Sequence, residues 1–129
     1  MARNGTNPIR VLYVEDDKSL QVTISQMLKA LGYVVECAEN GKVGIIKANS
    51  WQPDLILMDI RLPLINGDEA IRLLRQDPET AKIPIFVLSA YTDAKTRNSC
   101  REAGADKFFT KPPDVRKVDA AIKKILDRN

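Results

Sequence analysis

The feature that most constrains this chain is an alternation between short apolar runs and longer stretches of helical period. The runs lie at residues 10–14, 33–38, 55–58, 85–88 and 107–109 and are rich in Val, Ile, Leu and aromatics, so they read as strands. The clearest helical stretch sets Leu20, Ile24, Met27, Leu28 and Leu31 on one face, and Gly32 supplies the left-handed residue that ends it. The last places Val115, Val118, Ile122, Ile125 and Leu126 at three- and four-residue steps behind Asp114 as N-cap. Helices are also predicted at 42–49, 67–76 and 93–103. The apolar pairs Ile45–Ile46 and Leu73–Leu74 are expected to pack on a sheet. The 93–103 stretch offers only Ala94, Cys100 and Ala103, and is expected to be the least tightly anchored helix. Five β-α units in succession predict an α/β fold, a five-stranded parallel sheet with right-handed crossovers and helices on both faces. The unalternating run Leu55, Ile56, Leu57, Met58 suits a strand buried on both sides. Pattern alone does not fix the strand order.

A chain of 129 residues can bury one real core and is too short for two ordinary domains. Residues 9–129 are expected to form that domain, with 1–8 as an N-terminal extension. The 44% hydrophobic and 29% charged content excludes a disordered tail, and no apolar run approaches the roughly 20 residues of a membrane span. A net charge of +3 without a Lys/Arg run argues against a nucleic-acid footprint. Cys37 and Cys100 stand apart, and the chain has no histidine, so a zinc site is excluded and reduced thiols in a cytoplasmic setting are expected. Residues 1–8, MARNGTNP, lack the apolar core of a signal peptide.

The residues that follow the apolar runs carry the chemistry. Glu15 and Asp16 follow VLYV, Asp59 follows LILM, Ser89 follows IFVL, and Lys111 follows FFT. Strands of one parallel sheet end at the same edge, where such folds bind ligands. Three carboxylates, a hydroxyl and an ammonium would therefore converge. Crowded carboxylates repel unless a cation neutralises them, and Mg²⁺ takes one or two carboxylates together with phosphate oxygens. A carboxylate is also a competent nucleophile toward phosphorus.

VLYVEDD at 11–17, PDLILMDIRLPLING at 53–67, IPIFVLSA at 83–90 and AGADKFFTKP at 103–112 closely resemble the response-regulator receiver family, also called CheY-like proteins. The resemblance covers about residues 9–127 and implies a (βα)5 flavodoxin-like fold. It further implies that Glu15, Asp16, Asp59 and the backbone carbonyl of Arg61 hold Mg²⁺, that Asp59 is the phosphoacceptor, and that Ser89 and Lys111 contact the phosphoryl group. Phe108 takes the place of the family's switch aromatic, paired in function with Ser89. A cis Lys111–Pro112 bond is implied as well. Pro63 and Gly67 shape the loop after Asp59, with Asn66 as N-cap of the next helix. Glu15 stands where Asp is commoner, Ser89 where Thr is frequent, and Pro113 where a large apolar residue is usual.

The expected function is that of a single-domain response regulator that takes phosphate from a histidine kinase or histidine phosphotransfer protein and changes its binding surface. About eighteen residues follow Lys111, so output is expected through partner binding or onward phosphotransfer, without direct DNA or membrane binding. Arg61 and Tyr91, each two positions beyond an active residue, are expected to border the phosphoryl pocket and to lengthen the life of the phosphoryl group. A phosphorylation-independent interaction module is the alternative. A haloacid-dehalogenase-type phosphohydrolase would need its nucleophile in a DxDx(T/V) pattern after the first strand, where EDDKS stands. A flavodoxin-like cofactor binder would place phosphate against Glu15, Asp16 and Asp17, which repel it.

Overall fold

The structure, a computed structural model, describes residues 7–90 and 93–127. Strands β1 (Arg10–Val14), β2 (Val34–Ala38), β3 (Leu55–Asp59), β4 (Ile85–Ser89) and β5 (Lys107–Thr110) alternate with helices α1 (Lys18–Ala30), α2 (Gly41–Trp51), α3 (Gly67–Gln76), α4 (Ala94–Ala103) and α5 (Val115–Ile125). All strand pairs are parallel, in the order β2-β1-β3-β4-β5. This is the doubly wound order whose switch point lies between β1 and β3.

Alternation along the strands builds two cores. Leu55 and Leu57 of β3 face Ile24 and Leu28 of α1 and Val115, Val118 and Ile122 of α5. Ile56 and Met58 point the other way, into Ala48, Ala70, Ile71, Leu74, Cys100 and Ala103. Every residue of β3 and β4 is buried, which accounts for their unbroken apolar runs. Each buried Leu or Ile contributes roughly 1.5–3 kcal/mol over its exposed state.

The helix faces are narrower than expected from the sequence. Met27 and Leu31 are about half exposed, and Ile46 and Leu73 also reach solvent, while Ile24, Leu28 and Leu74 are buried. Neighbouring helix residues diverge by about 100°, so only one member of each apolar pair can face the sheet. Small residues take the other positions: α2 packs through Gly44 and Ala48, and α4 buries only Cys100 and Ala103, the smallest buried set of the five helices.

Caps fix the helix ends near the carboxyl edge of the sheet. Asp17, Asp93 and Asp114 accept amides of the first turns of α1, α4 and α5. Asn66 occupies the cap position of α3 but makes no side-chain cap bond, contrary to expectation. The Glu69 amide it would serve already donates to Asp68 Oδ1 at 3.0 Å. Gly67 is needed for close approach: a Cβ there would lie 2.6 Å from the Asp59 carbonyl oxygen. At the opposite edge Arg75 donates to the carbonyls of Ala81, Ile83 and Gly104 and pairs with Asp106 at 3.0 Å, pinning the C-terminal end of α4.

Candidate functional site

The carboxyl ends of β1, β3 and β5 bring three of the predicted residues into direct contact. Lys111 Nζ lies 2.7 Å from Glu15 Oε1 and 3.0 Å from Asp59 Oδ2. Asp16 joins them on the solvent side. A carboxylate oxygen from each of Glu15, Asp16 and Asp59 lies within 4.8 Å of the others, with Glu15 and Asp59 buried and Asp16 exposed. The other Asp59 oxygen, Oδ1, accepts the Arg61 amide at 3.2 Å.

Ser89 is the fully buried last residue of β4, in register with Thr110, and its carbonyl accepts the Lys111 amide at 2.8 Å. That bond fixes Lys111 to the sheet, and the following Lys111–Pro112 bond is cis. Arg61 is exposed and, with Ile60, Asn66, Asp68, Lys95 and Thr96, lines an open cleft of about 430 Å³ between the β3–α3 loop and α4. Phe108 is half-buried on β5 against the second core, with the Arg97 guanidinium 5.1 Å from its ring centroid. Tyr91 lies outside the described residues.

Burial is the main force on Asp59, and with the nearby Glu15 charge it pushes the carboxyl up to about 6, against hydrogen bonding from Lys111 and the Arg61 amide. Burial alone would lower the Lys111 pKa, but hydrogen bonds and charges from Glu15 and Asp59 outweigh it and raise the value. The ammonium is thus held charged between two carboxylates.

One further side chain joins the site through Glu15. Tyr13, an apolar strand residue by pattern, donates its hydroxyl to Glu15 Oε1 at 3.0 Å. Its two-residue spacing from Glu15 was the available signal, since such positions share a strand face.

A doubly wound parallel sheet carrying carboxylates, a hydroxyl and an ammonium at its carboxyl edge defines a receiver-type α/β domain. The family model of the response regulator receiver domain matches residues 11–123, and the chain belongs to that family, the receiving component of two-component signalling. It is 35% identical over 119 residues to the DNA-binding dual master transcriptional regulator RpaA of Synechocystis, covering 92% of this chain and 49% of RpaA. The chain therefore spans about half the length of that relative. It is 33% identical over 117 residues to protein PilH of Pseudomonas aeruginosa, covering 91% of this chain and 97% of PilH. The receiver domain of sensor histidine kinase PA1611 from P. aeruginosa, solved with magnesium coordinated in its active site cleft, superposes with a TM-score of 0.87 at 30% identity. That match covers 94% of this chain and 99% of the PA1611 domain. Among the described residues no helix is long and apolar enough to cross a membrane.

Proposed function

We propose that this chain, with residues 9–129 as its receiver domain behind a 1–8 extension, is a phosphorylation switch. Asp59 accepts a phosphoryl group from a histidine kinase or histidine phosphotransfer protein, and the chain catalyses both the gain and the loss of that group. The observation that carries the reading is Lys111 bridging Glu15 and Asp59, with Asp16 beside them. Among the described residues, Lys111 is the ammonium that contacts two of these three carboxylates, which leaves excess negative charge beside a candidate nucleophile.

The donor set fits Mg²⁺, since all three side chains offer hard oxygens and the chain has no histidine. Glu15, Asp16, Asp59 and the Arg61 carbonyl would hold it. When bound, Mg²⁺ supplies positive charge that offsets the charge on the transferred phosphoryl oxygens. The ionised Asp59 carboxylate attacks phosphorus, a P–O bond forms as the P–N bond of phosphohistidine breaks, and the imidazole leaves and regains a proton. Lys111 pairs with the new negative charge from its place beside Asp59. Ser89 donates its hydroxyl to a phosphoryl oxygen. Ser89 and Phe108 then act together as the switch that carries the change to the α4, β5 and α5 surface. A cytoplasmic setting accords with the free thiols of Cys37 and Cys100.

Incubation with Mg²⁺ and acetyl phosphate followed by intact mass analysis tests the reading. Wild type should gain one phosphoryl group and Asp59→Asn none. An unmodified wild type would leave a phosphorylation-independent interaction module in its place.

A further inference from the structure

The Glu15 carboxylate is held by a group that the phosphoryl reaction does not use. Its Oε1 accepts both Lys111 Nζ at 2.7 Å and the Tyr13 hydroxyl at 3.0 Å, while Oε2 takes the Asp17 amide at 3.3 Å. The Glu15 main chain is fixed separately, its amide donating to the Ala38 carbonyl and its carbonyl accepting Gln21 Nε2. Carboxylate orientation therefore depends on Lys111, Asp17 and Tyr13. Lys111 takes part in the chemistry, and the Asp17 bond is the longest of the three. Tyr13 is fully buried in the core with Leu28 and Leu57, so its ring is locked by packing.

Resting on the metal-dependent reading above, we propose that Tyr13 is a positioning residue whose buried hydroxyl fixes Glu15 in the orientation that serves Lys111 and Mg²⁺ together. A glutamate has one more torsion than an aspartate, hence more rotamer freedom to lose before its oxygens are placed. An apolar residue at position 13 would fill the core equally well and leave that freedom unopposed. The hydroxyl removes it and, as the partner of a ligand carboxylate, acts through the ligand.

Mg²⁺ titration of the unphosphorylated protein by calorimetry, on wild type, Tyr13→Phe, Glu15→Asp and the double variant, decides the matter. Tyr13→Phe keeps the ring, and urea unfolding in EDTA verifies that each protein is folded. Tyr13→Phe should weaken Mg²⁺ binding roughly tenfold, the scale of losing a hydrogen bond to a charged ligand. It should add nothing in the Glu15→Asp background, where the shorter carboxylate withdraws from the hydroxyl. Unchanged affinity in Tyr13→Phe, or an equal loss in both backgrounds, overturns the positioning role while the metal site stands. A wild type that binds no Mg²⁺ overturns the metal-dependent reading and this role with it.

Discussion

Lys111 Nζ stands 3.0 Å from Asp59 Oδ2, yet the Asp59 pKa remains raised to about 6, so a single ammonium does not offset burial and the Glu15 charge. With the folded value above the unfolded one near 3.8, the stability contributed by Asp59 is complete below about pH 4 and is lost as pH rises through 6. Metal-free Asp59→Asn should thus match wild type most closely near pH 4 and exceed it above pH 6 by on the order of 2 kcal/mol. Asp16→Asn should stabilise less, because Asp16 is exposed. Urea unfolding in EDTA from pH 4 to 8 measures this. A gap between Asp59→Asn and wild type that does not vary with pH would contradict a crowded acidic site.

Removing a carboxylate oxygen donor should weaken the metal. Asp16→Ala and Asp59→Ala are each expected to lose roughly tenfold or more in Mg²⁺ affinity, since both oxygens lie in the cluster. Equal affinities in wild type and both variants, read by calorimetry, would remove these residues from the metal site.

The switch prediction rests on how unequally α4 is held. Its C-terminal end is pinned by Arg75 on the Gly104 carbonyl, whereas along its length it buries only Cys100 and Ala103. Weakly anchored elements move at small cost, and a pre-existing equilibrium can be shifted by phosphorylation. A phosphoryl mimic should change amide exchange in α4 and β5, with Phe108 turning inward and leaving Arg97. Changes confined to the loop after Asp59 would refute this.

The fold was legible because each element carried its own signal. Strand runs, Gly32 and Asp114 depend on local chain geometry, which a sequence displays, and the residues after the strands needed only the rule that parallel strands end together. Strand order was not legible, since β1 between β2 and β3 is settled by pairing among distant segments. The Tyr13–Glu15 bond is not legible in the sequence because a tyrosine within VLYV satisfies the apolar pattern, and its hydroxyl acquires meaning only with Glu15 beside it. Asn66 misled for the opposite reason. Its residue type suits a cap, but Asp68 serves the same amide.

Arg61 leads to the last prediction, the lifetime of the phosphoryl group. Its amide donates to Asp59 Oδ1, and the residue lines the open cleft beside the site. Hydrolysis needs a water in line with the breaking bond, which a long guanidinium beside the site would obstruct, and Tyr91, two positions after Ser89 in the sequence, is expected from that spacing alone to act likewise. Wild type should therefore lose its phosphoryl group slowly. Arg61→Asn and Tyr91→Glu should each speed the loss several-fold, on the order of 1 kcal/mol of barrier, and the double variant further. Phosphoryl loss followed by mass analysis after acetyl phosphate is removed gives the rates. Indistinguishable rates in all four proteins would mean that neither side chain shields the acyl phosphate, and that its lifetime is set by the groups touching Asp59 itself.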